Sequence, residues 1–118
     1  MPAYAERRGE PRTPVRAAGR VMFGDKLGLW ADCVIRDMSA SGAKIELSQL
    51  VKLPPRFLLM HLSDGVAFEV VLKWRRGDLA GMAFEKRHPL TEAVEPRLEP
   101  VRTAWKALMP GFTPKPQG

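Results

Sequence analysis

The sequence predicts an all-β domain: a six-stranded antiparallel β-barrel or a related sandwich, with a C-terminal α-helix and a flexible N-terminal arginine arm. Six short runs of strand-forming residues follow one another between turns, with no helical period between them. This pattern is typical of antiparallel sheets rather than of parallel βαβ units. A closed barrel is favoured because it leaves no exposed sheet edge.

Three strands are predicted in the first half of the chain, at residues 15–23, 29–36 and 43–47. Gly19 weakens the first of them, VRAAGRVMF. The segment GDKLG, residues 24–28, predicts a turn before the second strand, LWADCVIR. The third strand, AKIEL, alternates cleanly between apolar and polar residues. The polar segment DMSASG, residues 37–42, is predicted to be a loop between the second and third strands.

Three further strands are predicted at residues 56–62, 66–74 and 79–85. The segment KLPP reads as a linker before RFLLMHL. Ser63-Asp64-Gly65 is a strong hairpin signal between RFLLMHL and VAFEVVLKW. The segment RRGD, residues 75–78, predicts another turn before LAGMAFE.

A helix is predicted after the last strand, because apolar residues then recur at spacings of three and four. The stripe consists of Leu98, Val101, Trp105 and Leu108. Prolines at 96 and 100 prevent a continuous helix before about residue 100, and the Pro-Gly pair at 110–111 ends it. We expect the helix to pack over one end of the barrel with Trp105 as its anchor. A dimer contact is the alternative use of such a stripe.

Length and composition indicate one globular domain, with 118 residues, 45% hydrophobic and 27% charged. The expected organisation is a flexible arm at residues 1–14, the barrel with its helix at 15–110, and a disordered tail at 111–118. The single cysteine, Cys33, excludes an internal disulfide framework. The chain has no apolar run of about 20 residues and no secretory leader, so we expect a cytoplasmic protein that does not span a membrane.

The net charge of +6 indicates an anionic partner. The first 20 residues contain five arginines, two glutamates and no lysine, and the segment RRGEPR holds three of these arginines. Arginine presents a planar fork to phosphates and base edges, and a flat face for stacking. Taken alone, the cluster is better explained as a solvated basic arm.

Nothing in the sequence indicates an enzyme or a metal site. The chain lacks a nucleophile turn, a P-loop and an HExxH motif. His61 falls within an apolar strand, where a structural role is expected. His88 precedes a proline in the predicted strand-to-helix connection, where a solvated loop position is expected.

Two short motifs together indicate a family. Arg8 and Arg12 form RxxxR, and after 24 intervening residues Asp37, Ser39 and Gly42 form DxSxxG. Each motif is unspecific alone, but their order and spacing on a six-stranded chain of this length resemble the PilZ domain family of bacterial cyclic di-GMP receptors. The segment VLKW…GMAFE is similar to the closing hairpin of that family. The resemblance covers nearly the whole chain.

The resemblance implies cyclic di-GMP as the ligand, without any cofactor or metal. The two motif arginines would bind phosphate and guanine, in the bidentate manner by which arginine recognises guanine O6 and N7. Asp37 would accept hydrogen bonds from guanine N1–H and N2–H₂, Ser39 would supply a hydroxyl, and Gly42 would let the ligand approach the backbone. Relatives with an arginine directly before RxxxR tend to bind a stacked ligand pair, so Arg7 is a further candidate contact.

The leading hypothesis is a non-catalytic cyclic di-GMP receptor whose ligand orders the arginine arm and changes a surface for a downstream effector protein, which the sequence does not identify. One alternative is an interaction adaptor of the same fold that binds no ligand. Another is a basic-arm binder of nucleic acid or acidic membrane. We expect no DNA or RNA partner, and either a monomer or a ligand-linked dimer. Arg16 and Arg20 are expected to face outward on the first strand.

Overall fold

The computed structural model describes residues 13–109, and the predicted arm up to residue 12 and the predicted tail from residue 111 lie outside this range. Six strands form a closed antiparallel barrel in the order β1-β2-β3-β6-β5-β4. The strands are β1 (Thr13–Phe23), β2 (Leu29–Met38), β3 (Gly42–Glu46), β4 (Arg56–His61), β5 (Val66–Arg76) and β6 (Leu79–Pro89), followed by helix α1 (Glu99–Leu108). Short 3₁₀ turns occupy Asp25–Leu27 and Pro96–Leu98. The predicted fold class and number of strands are confirmed.

Four strands are longer than predicted, because cross-strand pairing continues beyond the residues that alternate clearly. β1 begins at Thr13 rather than Val15, since Thr13 pairs with Met38 and Pro14 pairs with Asp37. The same pairing extends β2 through Asp37, which was predicted to lie in a loop.

The last hairpin is also longer than predicted. Arg75 and Arg76 were assigned to a turn, but they pair with Ala80 and Leu79 in the β5–β6 ladder. β6 then continues to Pro89.

The interior of the barrel is filled by inward-facing side chains from all six strands. Fully buried examples are Val21, Ile35, Ile45, Leu59, Val70 and Ala80. Cys33 also belongs to this core, and burial, followed by the charge of Asp32, raises the pKa of its thiol to about 12. This thiol is therefore protonated and shielded at neutral pH.

A second core lies outside the barrel, beneath α1. It contains strand residues that come directly before or after an inward-facing residue and therefore point to the outer surface of β1, β4 and β5. These residues are Met22, Leu58, Met60 and Ala67. They pack there with Leu90, Leu98 and Val101. The prediction that the helix covers one end of the barrel is therefore wrong, since α1 lies against the outer wall.

Trp105 fixes α1 to the β4–β5 connection. Its indole Nε1 donates to the backbone oxygen of Leu62 at 2.7 Å. The expected anchoring role of Trp105 is thereby confirmed. Leu108, the last member of the predicted stripe, is exposed instead.

A partly exposed cluster of three polar side chains ties the start of the helical segment to the barrel. The Glu69 carboxylate lies 2.6 Å from His88 Nε2 and accepts from Arg97 Nη2 at 2.7 Å. His88 was expected in a solvated loop, but it lies in β6 and is buried because β6 extends to Pro89. His61 is buried as expected, and its Nδ1 accepts from the backbone of Asp64 at 3.3 Å.

This cluster predicts a dependence of stability on pH. Burial alone would raise the pKa of Glu69, but the hydrogen bonds and charges of Arg97 and His88 outweigh it and hold the pKa below its ordinary value of 4.5. A lowered pKa contributes stability that is present above the ordinary value and is lost as pH falls through the lowered one. The melting temperature of Glu69→Gln should therefore lie below that of the wild type at neutral pH, and the difference should shrink below pH 4.5. Glu92→Gln, which removes an exposed carboxylate, should show no such convergence.

Candidate functional site

The motif loop between β2 and β3 comprises residues 39–41 and is held by its own hydrogen bonds. The backbone N–H of Ser39 donates to Gly42 O at 2.9 Å, and the N–H of Ser41 donates to Ser39 Oγ at 3.3 Å. The carbonyl of Ser41 accepts from Phe84 N at 2.8 Å, which fastens the loop to β6. In this structure Ser39 shapes the loop.

Asp37 lies in β2, just before this loop. Its neighbour across the ladder is Lys44 of β3, whose Nζ is 3.5 Å from Asp37 Oδ2. The Asp37 side chain is largely buried, whereas that of Lys44 is more exposed. The site thus contains a partly shielded carboxylate with a cation beside it.

Gly42 begins β3, where it pairs with Ala83 of β6. A Cβ atom at this position would overlap the backbone carbonyl of Met82. In addition, Gly42 is not among the described glycines with positive φ. The absence of a side chain therefore allows β3 and β6 to approach closely, which gives the motif glycine a structural role independent of any ligand.

A pocket of about 370 Å³ opens beside these residues. It is lined by Asp37, Ser41, Gly42, Ala43, Lys44, Lys73, Trp74, Gly81, Met82 and Ala83. Trp74 is 40% exposed. Its indole lies so close to Gly81 that a Cβ there would overlap it. The guanidinium of Arg76 lies 5.6 Å from the centroid of the Trp74 ring.

Lys44, Lys73 and Trp74 were not identified as site residues from the sequence. Their side chains come together because β6 lies between β3 and β5 in the barrel, an order that differs from the chain order. A weak signal was available in Lys73-Trp74, a cation and an aromatic residue at the end of an otherwise apolar strand.

The predicted arginine contacts Arg7, Arg8 and Arg12 lie outside the described residues. However, β1 begins at Thr13, directly after Arg12, and there it pairs with Met38, while the next residue, Pro14, pairs with Asp37. The chain therefore enters the barrel beside the motif carboxylate.

The two arginines within β1 are placed differently. Arg16 is exposed. The guanidinium of Arg20 donates to Asp32 at 2.9 Å and lies 3.7 Å above the centroid of Trp30. Arg20 therefore stabilises the outer face of the β1–β2 hairpin.

The chemistry of the pocket suits an anion that carries a flat heterocycle. Lys44 and Lys73 can neutralise phosphate, the face of Trp74 can stack on a base, and Asp37 can accept hydrogen bonds from N–H groups. Residues 13–109 contain no cluster of histidine, cysteine and carboxylate side chains that could hold a metal ion.

The PilZ domain family matches residues 6–95, and the chain belongs to that family. Among solved structures, the PilZ domain of CeSA from a cellulose-synthesizing bacterium is similar, with 15% identity and a TM-score of 0.47. The match covers 86% of this chain and 97% of that chain. No curated protein matches significantly.

The family has a known general role. PilZ domains are known as cyclic di-GMP-binding domains that also bind effectors, and they are generally non-catalytic. The family predicted from the two motifs is therefore confirmed. In the described part of the chain, no helix has the length and apolar character needed to cross a bilayer.

Proposed function

We propose that this chain is a non-catalytic cyclic di-GMP receptor that binds its ligand between the arginine arm and the pocket beside Asp37. The observation that carries the proposal is the β1–β2 register, in which Pro14 pairs with Asp37. Arg12 directly precedes Thr13, and Thr13 pairs with Met38 of β2. This supports the proposal, because a short stretch of chain suffices to bring RxxxR to Asp37.

The pocket supplies complementary groups for each part of the ligand. Asp37 accepts from the Watson–Crick edge of guanine, which presents two neighbouring N–H donors. Lys44 and Lys73 face the phosphates, and Trp74 offers a stacking surface that is already held by its contact with Gly81. The motif arginines complete the site through charge-assisted hydrogen bonds to phosphate and guanine.

Ligand binding orders the arm and thereby changes a surface that an effector protein recognises. Among residues 1–12, only Tyr4 is a large aromatic group. Little apolar burial is therefore available to offset the conformational entropy lost when the arm becomes fixed. The charge-assisted contacts to the ligand supply that free energy.

Titration calorimetry tests the receptor function. We expect cyclic di-GMP to bind with micromolar or tighter affinity, whereas cyclic di-AMP and GTP should compete weakly because they lack either the guanine edge or the two-base arrangement. If all three bound equally and weakened together as salt rose, a nonspecific basic arm would explain the binding.

The stoichiometry of the same titration tests the proposed role of Arg7. We expect two stacked ligand molecules per chain, and Arg7→Leu should shift the ratio toward one while binding is retained. A wild-type ratio of one would contradict the stacked pair without affecting the receptor function.

A further inference from the structure

The end of the barrel opposite the motif loop carries an unusual concentration of exposed apolar side chains. Because successive strands of the barrel run in opposite directions, the connections at residues 24–28, 47–55 and 77–78 all lie at one end. We call this the distal end. The motif loop at residues 39–41 lies at the other end.

Three of the five large apolar residues exposed among residues 13–109 are at the distal end. Leu50 is 84% exposed, Leu29 is 58% exposed and Trp30 is 54% exposed. Monomeric proteins expose single apolar residues routinely, but several at one end indicate a contact surface.

Leu50 is held in a well-defined position. The β3–β4 connection passes over the barrel end, with Val51 and Leu53 packed against the interior core. Arg75 fastens this connection through hydrogen bonds of 2.9 Å to the carbonyl oxygens of Val51 and Ser48. A third bond, to Gly77 O in the β5–β6 turn, orients the guanidinium. The Leu50 side chain consequently projects outward from a braced segment.

Trp30 is braced as well. Arg20 covers one face of its ring at 3.7 Å from the centroid and is itself held by Asp32 at 2.9 Å. A tryptophan that is fixed in this way loses little side-chain entropy when its exposed surface is covered.

The distal end also has an excess of positive charge. The three connections together with the two residues on either side of each contain five cations, Lys26, Lys52, Arg56, Arg75 and Arg76, against three carboxylates, Asp25, Glu46 and Asp78. Among the described residues, neither Lys26 nor Lys52 forms an ion pair. Both are therefore available to an external anion.

We infer that the distal end is a docking surface for a lipid bilayer containing anionic lipids. Leu50 projects from the β3–β4 connection, whereas Leu29 and Trp30 begin β2 directly after the β1–β2 connection. Apolar residues at two separate points of a closed barrel end suit a flat and deformable partner. Leucine inserts among acyl chains, tryptophan favours the interfacial layer, and lysines next to them are attracted to anionic headgroups. Docking here leaves the motif loop facing away from the membrane.

Sedimentation with vesicles tests this inference in the absence of cyclic di-GMP. The full chain should sediment with vesicles of phosphatidylcholine and phosphatidylglycerol mixed about two to one, and much less with phosphatidylcholine alone. Leu50→Ser should weaken binding about tenfold or more. Lys26→Gln combined with Lys52→Gln should weaken it by a similar factor.

Matched controls separate this surface from general stickiness. Leu108→Ser removes an exposed leucine from α1, and Lys106→Gln removes an exposed lysine there. Both should sediment like the wild type. The thermal midpoint and cyclic di-GMP affinity of Leu50→Ser should be unchanged, so a failure of membrane docking is distinguishable from a failure of the receptor function.

The arginine arm could attract vesicles by itself, so the Leu50→Ser comparison should be repeated in a variant with Arg7, Arg8 and Arg12 replaced by glutamine. The tenfold difference should persist. The inference is overturned if Leu50→Ser binds vesicles like the wild type, or if neutral and anionic vesicles bind equally. It is also overturned if the protein does not bind vesicles but self-associates in analytical ultracentrifugation, and Leu50→Ser abolishes that self-association. The distal end would then be a contact between copies of the chain.

Discussion

Arg12→Ala and Arg8→Ala should each bind cyclic di-GMP about tenfold to a hundredfold more weakly than the wild type. A hydrogen bond to a charged group contributes about 1.5–3 kcal/mol, which corresponds to this range of affinity. The melting temperature should remain unchanged, because both residues precede β1, which begins at Thr13. Calorimetric titration measures the affinity, and thermal unfolding measures the stability.

The control for loss of charge is Lys106→Ala. It removes one positive charge from an exposed position on α1, and it should bind the ligand normally. If this control lost as much affinity as Arg12→Ala, overall charge would explain the effect and the motif arginines would have no special role.

Gly42→Val should produce the largest loss of stability. The new Cβ would overlap the Met82 carbonyl across the β3–β6 ladder. Both colliding atoms belong to or directly adjoin the backbone, so rotation of a side chain cannot relieve the overlap. We expect a cost at or above the upper end of the usual 1–3 kcal/mol for overpacking, and a fall in melting temperature of about 10 °C or more.

Gly42→Ala distinguishes the structural role of this glycine from a ligand role. The overlap arises at Cβ, so alanine should already destabilise the barrel. Gly28→Ala is a suitable control, because Gly28 has a φ of −81° and its Cβ would meet only Asp25 O, at 3.3 Å. A Gly42→Ala protein with wild-type stability and no ligand binding would show that this glycine serves ligand approach alone.

The strand pattern could be predicted because alternation and turn residues are local properties of the sequence. The ends of the strands could not be predicted, because they depend on which residues lie opposite in the neighbouring strands. Asp37 belongs to a strand only because Pro14 and Lys44 lie opposite it. The wrong prediction of a solvated loop position for His88 has the same cause, because β6 continues to Pro89 alongside β5.

The sequence contained a signal for the position of α1 on the outer wall of the barrel, which the search for alternating strands overlooked. The run RFLLMHL is apolar at nearly every position, and in β4 every residue from Phe57 to His61 is buried. A strand of this kind is covered on both faces. One of those faces is the barrel interior, so the other had to be covered by a further element.

Asp37 and Gly42, which line the candidate pocket, could be singled out because the order and spacing of the motifs follow the chain, whereas Ser39 is not among the residues that line it. The ligand contacts of all the motif residues stay a prediction. The pocket residues from β5 could not be predicted. Lys73 and Trp74 lie near the motif loop only because the strands are ordered β3-β6-β5 in the barrel, which differs from their order in the chain. Sequence reasoning also gave Gly42 a ligand role, whereas its contact with Met82 becomes visible only when the two strands are placed side by side.

The buried thiol of Cys33 makes this protein convenient for spectroscopic labelling. Cys33 is the only cysteine in the chain, and its burial and raised pKa suppress its reaction with maleimides and other thiol reagents. A cysteine introduced into the arm, together with another on β6, would therefore accept spin labels without prior removal of the native residue. Distances between the two labels, measured with and without cyclic di-GMP, would test the proposed ordering of the arm directly.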